Sequence, residues 1–338
     1  MKKYVITYDI GTTGIKTCLI EIEDTMRILA SATAGYNLYV DDETGVKGGA
    51  EQDADEWWAA MCSTTRTVFD KMPAIKKEQV EGISFCSAMQ GLVLVDKEGK
   101  CIRRPMTYMD QRAREELKKG MAHGVQIAGA EVTKLLKYLK YTGAVSSSVK
   151  DPIWKYRWVE AHEPENFKKI SKIMLPKDYL AYKMTGVHCT DVSDASGMLL
   201  FDVKNRCWSK EMLDICGIDE NCMAKVFESY ECVGNLTKEA AQRMGLTENV
   251  KVIAGAGDNA AAAVGTGTVG DGKCNISLGT SGTIFISSDK FGVDDNNALH
   301  SFDHADGHFH LMGCMLSAAS CNKWWMDEFI KTKEYSEE

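Results

Sequence analysis

Two short turns rich in glycine and small hydroxyl residues are the first candidates for chemistry. Gly11-Thr12-Thr13-Gly14 resembles Gly279-Thr280-Ser281-Gly282, and β-like runs flank both turns. Such turns let backbone N–H groups converge on an anion, and each hydroxyl adds a donor. The repeat indicates a duplicated fold in which one turn from each half grips a shared polyphosphate.

Two charged residues stand beside the first turn. Asp9 ends the strand before it, where a carboxylate could hold Mg²⁺ or its water ligands. Lys16 follows the turn and could add positive charge. Each also has an ordinary explanation, because Asp9 could stabilise the turn and Lys16 could be a solvated strand residue. The residues alone leave these alternatives open.

Asp258 is the candidate general base. It follows an apolar strand-like run, in Gly255-Ala256-Gly257-Asp258-Asn259-Ala260, and opens an alanine-rich helix. A dinucleotide-binding turn has a similar glycine spacing, but an acid at the helix N-terminus would repel a pyrophosphate. That motif also needs an acid about 20 residues later to hold a ribose, and residues 275–285 contain none. A carboxylate stabilised by the helix dipole suits a base, with simple N-capping as the alternative.

Three further groups of polar residues are weaker candidates. The loop at Ser87–Gly91 carries Gln90, whose amide could bond a polyol, and Asp110 could grip sugar hydroxyls near a helix start. An ordinary polar turn and a helix cap are the respective alternatives. Four histidines lie between 300 and 310, but they lack the cysteine or carboxylate spacing of zinc sites, so we do not expect a metal there.

The elements that would position these residues form an α/β pattern. A strand, a glycine turn and further β-like runs open the chain, and Asp53-Ala54-Asp55-Glu56 caps a helix predicted over 53–71. Asp151-Pro152 and Pro176 start two more helices, and a strand begins near Lys251. The length favours two domains, and we place them at 1–245 and 246–338.

Composition limits the partners. The 338 residues carry a net charge of −8, which argues against nucleic acid or an anionic membrane surface, because such partners need a basic face. No apolar run reaches the roughly 18 residues of a membrane span, and an acid interrupts the N-terminal apolar run. We therefore expect a cytoplasmic protein, whose twelve scattered cysteines are reduced thiols.

Several motifs together resemble the FGGY carbohydrate kinases, above all the xylulokinase branch of that family. The likeness extends from the first strand to about Trp325. The matching segments are 9–16, 52–58, 175–180, 184–186, 190–197, 257–261, 278–282 and 316–321.

The resemblance implies an actin-like, ribonuclease-H-like pair of domains with ATP and a sugar between them. By that likeness, the turn at Gly11, Thr12 and Thr13, with Lys16, and the turn at Gly279, Thr280, Ser281 and Gly282 face the ATP phosphates. Asp9 serves Mg²⁺, and Asp258 takes the proton of the sugar's terminal hydroxyl. The implied sugar site consists of Met89, Gln90, Asp110, Asp258 and Asn259.

Two departures from the family pattern affect the substrate and the ATP site. Xylulokinases usually carry Met-His where this chain has Met89-Gln90, and Trp-Asn-Asp where it has Tyr108-Met109-Asp110. The leading substrate is D-xylulose, with ribulose, gluconate, erythritol or glycerol as alternatives. Relatives continue beyond residue 338 with an adenosine-binding segment, so we expect an incomplete second domain, and a non-catalytic sugar-binding fragment is the other possibility. The sequence leaves a homodimer open.

Overall fold

The computed structural model describes residues 2–23, 25–121, 126–127, 130–145, 148–278, 282–294, 296, 298–315 and 317–331. Its strands are β1 (Lys3–Ile10), β2 (Gly14–Ile22), β3 (Met26–Gly35), β4 (Tyr39–Val40), β5 (Ala50–Glu51), β6 (Val80–Ser87), β7 (Val93–Val95), β8 (Gln126–Ile127), β9 (Ala130–Glu131), β10 (Lys172–Met174), β11 (Cys189–Asp191), β12 (Phe201–Asp202), β13 (Cys207–Trp208), β14 (Lys225–Phe227), β15 (Cys232–Asn235), β16 (Lys251–Ile253), β17 (Ala256–Gly257), β18 (Cys274–Leu278), β19 (Gly282–Ser288), β20 (His300–Asp303) and β21 (Phe309–Met315).

Eleven α-helices lie in the described part of the chain, with three short 3₁₀ helices and one π-helical turn. The α-helices are α1 (Ala54–Asp70), α2 (Arg114–Met121), α3 (Val132–Thr142), α4 (Pro152–His162), α5 (Pro164–Phe167), α6 (Pro176–Thr185), α7 (Val192–Ser196), α8 (Lys210–Cys216), α9 (Lys238–Met244), α10 (Asp258–Gly265) and α11 (Ala319–Trp325). The shorter turns are Asp41–Thr44, Lys77–Gln79, Glu220–Cys222 and the π-helical Met326–Ile330. Among the residues described, no helix combines the length and apolar character needed to cross a bilayer.

A seven-stranded mixed sheet forms the centre of the first half. Its order is β15-β16-β6-β1-β2-β3, and β17 also pairs with β6. β1, β16 and β17 run parallel to β6, whereas β2 and β3 continue from β1 as an antiparallel meander. The predicted meander at the start of the chain is confirmed.

Helix α1 covers one face of this sheet, close to the predicted range 53–71. Asp53 caps it, because its carboxylate accepts a hydrogen bond from the backbone N–H of Asp55 at 2.8 Å. The helix buries an apolar face that includes Trp57 and Met61. Its Thr65 hydroxyl bonds the Tyr8 hydroxyl at 2.7 Å, so a buried polar contact fixes the helix against β1.

A second, antiparallel sheet has the order β18-β19-β21-β20. Its first strand begins at Cys274, whereas β16 and β17, which follow residue 245, belong to the first sheet. The division at 245/246 stays a prediction. Arg206, which follows β12, contacts the second sheet: its guanidinium lies 3.0 Å from the carboxylate of Asp303 on β20 and donates to the carbonyl oxygens of Gly307 and His308.

Candidate active site

Three parallel strands end at the same level, and the candidate residues follow these ends. Ile10 of β1 lies opposite Ser87 of β6, and Ser87 lies opposite Gly257 of β17. The next residues along the chain are the first glycine turn, the loop at Ala88 and the carboxylate of Asp258. Ligands of open α/β sheets bind at the carboxyl ends of parallel strands. The topology therefore brings together three segments that are far apart in sequence.

Asp258 is the first residue of α10, and Gly257 occupies the N-cap position. Its Oδ1 accepts hydrogen bonds from the backbone N–H and the side-chain amide of Asn259, at 2.8 and 2.9 Å. Burial raises the pKa of Asp258 to about 6, the bonds from Asn259 oppose this rise, and the negative charge of Asp9 adds to it. The N-cap alternative does not describe this residue. Most of the carboxyl is ionised at pH 7, yet it is a stronger base than an ordinary aspartate.

The carbonyl oxygens of the first turn are all tied to protein donors. The Tyr36 hydroxyl donates to the carbonyls of Gly11 and Gly14, the Tyr36 N–H donates to Thr13, and the Gln52 amide donates to Thr12 at 2.6 Å. Within the described part of the chain, the N–H groups of Thr12 and Thr13 have no protein acceptor. The carbonyl oxygens of the turn are thus occupied, whereas the N–H groups of Thr12 and Thr13 can still donate. This arrangement of donors binds an anion.

Close packing explains why the turn ends in glycine. A β-carbon at Gly14 would lie 2.5 Å from the carbonyl oxygen of Ala34 on β3, a distance that real β-carbons do not reach. The neighbouring strand therefore excludes any larger residue. This places the backbone of the turn tightly against the meander.

Asp9 and Lys16 lie directly opposite each other on β1 and β2, on the same face and both exposed. The thiol of Cys86 approaches Asp9 Oδ1 at 3.6 Å from the neighbouring strand β6. Asp9 is close enough to Asp258 for its charge to raise that group's pKa. An exposed carboxylate at a strand end beside a second one is an oxygen-rich setting that suits Mg²⁺.

A pocket opens between the first turn and the loop after β6. Thr12 lies on its wall, and its hydroxyl bonds the Tyr108 hydroxyl at 3.2 Å. Trp57 is buried there, and its indole N–H has no hydrogen-bond partner among the described residues. The lining residues are Ile10, Gly11, Thr12, Gln52, Trp57, Ala88, Met89, Gly91, Met106, Thr107, Tyr108 and Pro176.

Met89 lines this pocket and also packs against the residue before Asp258. A β-carbon at Gly257 would lie 2.7 Å from the Met89 sulfur, so the thioether packs directly on the residue before Asp258. Gln90, the next residue, is bonded to helix α4 and is not among the lining residues. The structure thus places Met89 against Gly257, the residue before Asp258, whereas Gln90, Asp258 and Asn259 are not among the lining residues of the pocket.

Asp110 does not line the pocket. It is fully buried, and its carboxylate accepts two bonds from Arg112 Nε, at 3.0 and 2.9 Å, and one from the backbone N–H of Ala50 at 2.8 Å. Arg112 also bonds Glu51 at 2.7 Å. In this arrangement the carboxylate supports the segment that carries Thr107 and Tyr108, so direct contact with a sugar stays a prediction.

A buried ionic network holds the segment before Asp258. The ammonium of Lys177 lies 3.0 Å from both Asp178 and Asp191 and donates to the carbonyl of Ala254 at 3.1 Å. Asp191 accepts the Ser193 hydroxyl at 2.5 Å, and that hydroxyl accepts the N–H of Gly257 at 3.0 Å. Charged groups of α6 and β11, together with the Ser193 hydroxyl of α7, therefore fix the backbone that precedes the candidate base.

The second turn falls largely outside the described residues. This applies to Gly279, Thr280 and Ser281, whereas Gly282 begins β19 and packs near Met315 and Ala318. That the two turns face each other therefore stays a prediction.

The histidines between 300 and 310 include a core residue. His310 is buried and stacks on Phe285 with ring centroids 4.0 Å apart, as a core aromatic residue does.

Comparison with known proteins identifies the family. The family model for the N-terminal domain of the FGGY family of carbohydrate kinases matches residues 4–265. The chain belongs to the FGGY family. The predicted resemblance and the actin-like fold class are thereby confirmed.

Xylulose kinases are among the curated relatives. That of Klebsiella pneumoniae is 35% identical over 321 residues, which cover 94% of this chain and 62% of the relative. That of Escherichia coli K12 is 34% identical over 323 residues, with the same coverage. The chain thus spans about 62% of the length of these FGGY relatives.

Solved structures share the fold. The xyloylose kinase from Brucella ovis superposes with a TM-score of 0.83 at 30% identity, over 95% of this chain and 63% of that one. The xylulose kinase from Rhodospirillum rubrum gives a TM-score of 0.86 at 24% identity, over 98% and 64%. The latter likeness concerns the fold alone.

Several residues that line the pocket were not singled out from the sequence. Gln52, Trp57, Thr107 and Pro176 line the pocket, and they come from three separate segments. Segments 52–58 and 175–180 match the family, but the motifs alone do not show that these residues share a pocket, because their proximity arises only when α1, α6 and the intervening loops pack together. An amide or indole side chain close to a helix start is the signal that could have marked Gln52 and Trp57 as candidate site residues.

Proposed function

We propose that this protein is a carbohydrate kinase that transfers the γ-phosphoryl group of ATP to the terminal hydroxyl of a ketopentose, with D-xylulose as the substrate. The observation that carries the proposal is the carboxylate of Asp258, with a pKa of about 6, at the level where three parallel strands end. The donor-rich first turn lies at the same level. The names of the curated relatives support D-xylulose as the acceptor.

Asp258 would accept the proton of the attacking hydroxyl. Its Oδ1 already accepts two bonds from Asn259, so Oδ2 is the atom left for the substrate. As the sugar oxygen forms its bond to the γ-phosphorus, the bond from phosphorus to the ADP oxygen breaks and the proton passes to Oδ2. Phosphoryl transfer of this kind depends on positioning and on charge neutralisation.

The N–H groups of Thr12 and Thr13 would bond phosphate oxygens, and Lys16 would add positive charge. We assign the same role to the second turn at Gly279, Thr280, Ser281 and Gly282. Gly11 would shape the first turn for the phosphates, because its N–H donates to the carbonyl of Gly14 at 3.0 Å. Asp9 would hold Mg²⁺, directly or through water, and the oxygen-rich surroundings described above fit that ion. Bound Mg²⁺ supplies positive charge that offsets the charge of the transferred group.

Met89 and Asn259 would contact the sugar beside Asp258. Gln90 and Asp110 would support the pocket from behind, through their bonds to α4 and to Arg112. A cytoplasmic location and a homodimer stay predictions. The same holds for the absence of nucleic-acid and membrane partners.

The proposal is tested by measuring ADP release with ATP, Mg²⁺ and a panel of D-xylulose, D-ribulose, D-gluconate, erythritol and glycerol. We expect the largest kcat/KM with D-xylulose. D258N is expected to abolish transfer and to leave the sugar Kd within a few-fold. The matched control is D214N, which changes an exposed aspartate on α8 and should leave turnover unchanged.

Calorimetry with D-xylulose and with a non-hydrolysable ATP analogue separates the alternatives. Heat with both ligands supports the kinase. Heat with the sugar and none with the nucleotide supports a non-catalytic sugar-binding protein and contradicts the proposed transfer. A higher kcat/KM for D-gluconate than for D-xylulose would contradict the ketopentose assignment.

A further inference from the structure

Two side chains of helix α4 hold one residue of the pocket loop. Asp151 and Lys155 stand four residues apart at the start of the helix, which puts them on the same face. The amide Nε2 of Gln90 donates to Asp151 Oδ1 at 3.1 Å, and the ammonium of Lys155 donates to the backbone carbonyl of Gln90 at 2.7 Å. One group holds the side chain and the other holds the main chain.

Asp151 and Lys155 do not play the roles expected from their positions in the helix. Asp151 occupies the N-cap position, yet its side chain makes no capping hydrogen bond. Lys155 is fully buried, and this burial lowers its pKa to about 7. Lysine is almost never fully buried unless it is paired. Both residues therefore bond Gln90 where a cap and a solvated ammonium would be expected.

Gln90 itself needs to be held, because its backbone is left-handed, with φ of 61°. Residues with a β-carbon avoid this region, where that carbon crowds the following carbonyl oxygen. Strained backbone of this kind persists only where the surroundings over-determine it, and it concentrates at functional sites. The bonds from Asp151 and Lys155 hold both its side chain and its main chain.

The backbone conformation of Gln90 affects the wall of the pocket. Gln90 lies between Met89 and Gly91, which both line the pocket, and Met89 packs on Gly257 next to the proposed base. A change in the φ angle of Gln90 would turn these two neighbours relative to each other. The wall that faces the sugar therefore depends on contacts made outside the pocket.

We propose that Lys155 and Asp151 are positioning residues for sugar binding, which act by holding Gln90 in its left-handed conformation. This inference rests on the proposed function, in which the pocket beside Met89 takes the sugar. The two residues would not touch the substrate. They would set its affinity through the loop that carries Met89 and Gly91.

A double-mutant cycle with glycine at position 90 tests the inference, because glycine adopts the left-handed region without help. The D-xylulose Kd is measured by calorimetry for the wild type, K155M, Q90G and K155M/Q90G. We expect K155M to raise the Kd about tenfold in the wild-type background, equivalent to about 1.4 kcal/mol. In the Q90G background we expect a change of less than about threefold. An equal rise in both backgrounds, or no rise in either, would overturn the inference.

D151A provides a second cycle if K155M does not fold. Its effect on the sugar is expected to run through the Gln90 amide, so it should weaken sugar binding in the wild-type background and have no effect with Q90G. An effect of D151A that persists with Q90G would contradict the inference. The control is R157M, which changes a half-exposed residue of the same helix and should leave the Kd unchanged.

Calorimetry with the sugar alone keeps this inference separate from the proposed function. Sugar binding that shows the expected cycle without any phosphoryl transfer contradicts the kinase and supports the positioning role. Phosphoryl transfer together with equal costs in both backgrounds contradicts the positioning role alone. Absence of D-xylulose binding by the wild type overturns both.

Discussion

The pKa of Asp258 predicts an unusual pH dependence of catalysis. The perturbation is a change of pH from 7 to 5. With a pKa of about 6, roughly nine-tenths of the carboxyl is ionised at pH 7 and roughly one-tenth at pH 5. We therefore expect kcat/KM for D-xylulose to fall about tenfold over this range. An aspartate at its ordinary pKa would stay ionised at pH 5 and give almost no change.

The assay is the initial rate of ADP formation at low sugar concentration, with saturating ATP and Mg²⁺, from pH 4.5 to 8. The N259A variant sharpens the test. In the wild type, the side-chain bond from Asn259 favours the ionised form of Asp258. Its loss in N259A should raise the pKa of Asp258, so the acid limb of the pH profile should move to higher pH. A limb below pH 5 in the wild type, or a limb that moves to lower pH in N259A, would refute the assignment of the base.

Three further predictions concern the stability of the fold. K177M leaves buried carboxylates without their ammonium, so we expect urea unfolding to show a loss of about 3–5 kcal/mol, and a loss below 1 kcal/mol would contradict the network. Burial holds the pKa of His310 well below its usual value, so only the unfolded chain takes up this proton as pH falls below about 6.5. Its contribution to the free energy of unfolding is present above pH 6.5, and about 1.4 kcal/mol of it should be lost at pH 5.5. H310F should remove this pH-dependent loss, and a loss that persists in H310F would contradict the assignment to His310. G255A should lower Tm far more than G186A. Both glycines are left-handed, but a β-carbon at Gly255 would lie 2.1 Å from the Phe85 carbonyl oxygen and Gly186 has open space, so equal losses would argue against the close contact.

Local signals were sufficient for much of the fold. Asp53 before an amphipathic run predicted α1, and Pro176 predicted the start of α6. The strand, turn and strand at the N-terminus were predicted because glycines and alternating apolar residues mark a meander. These signals act within a few residues, so they can be read from the chain directly.

The detailed geometry of the candidate site could not be predicted in this way. Asp110 is predicted to contact the sugar, and that contact stays a prediction, but no local pattern indicated that its carboxylate would also bond Arg112. The bonds from α4 to Gln90 join residues about 60 positions apart. Contacts of this kind depend on how helices pack on the sheet, and a single sequence does not encode that packing in any short pattern.

The most direct test of the central claim follows phosphorus by ³¹P NMR while the protein is incubated with ATP, Mg²⁺ and D-xylulose. The account predicts one sugar phosphomonoester for each ADP formed, and no phosphomonoester with D258N. Formation of ADP with inorganic phosphate alone, or an equal yield of phosphomonoester with D258N, would contradict it.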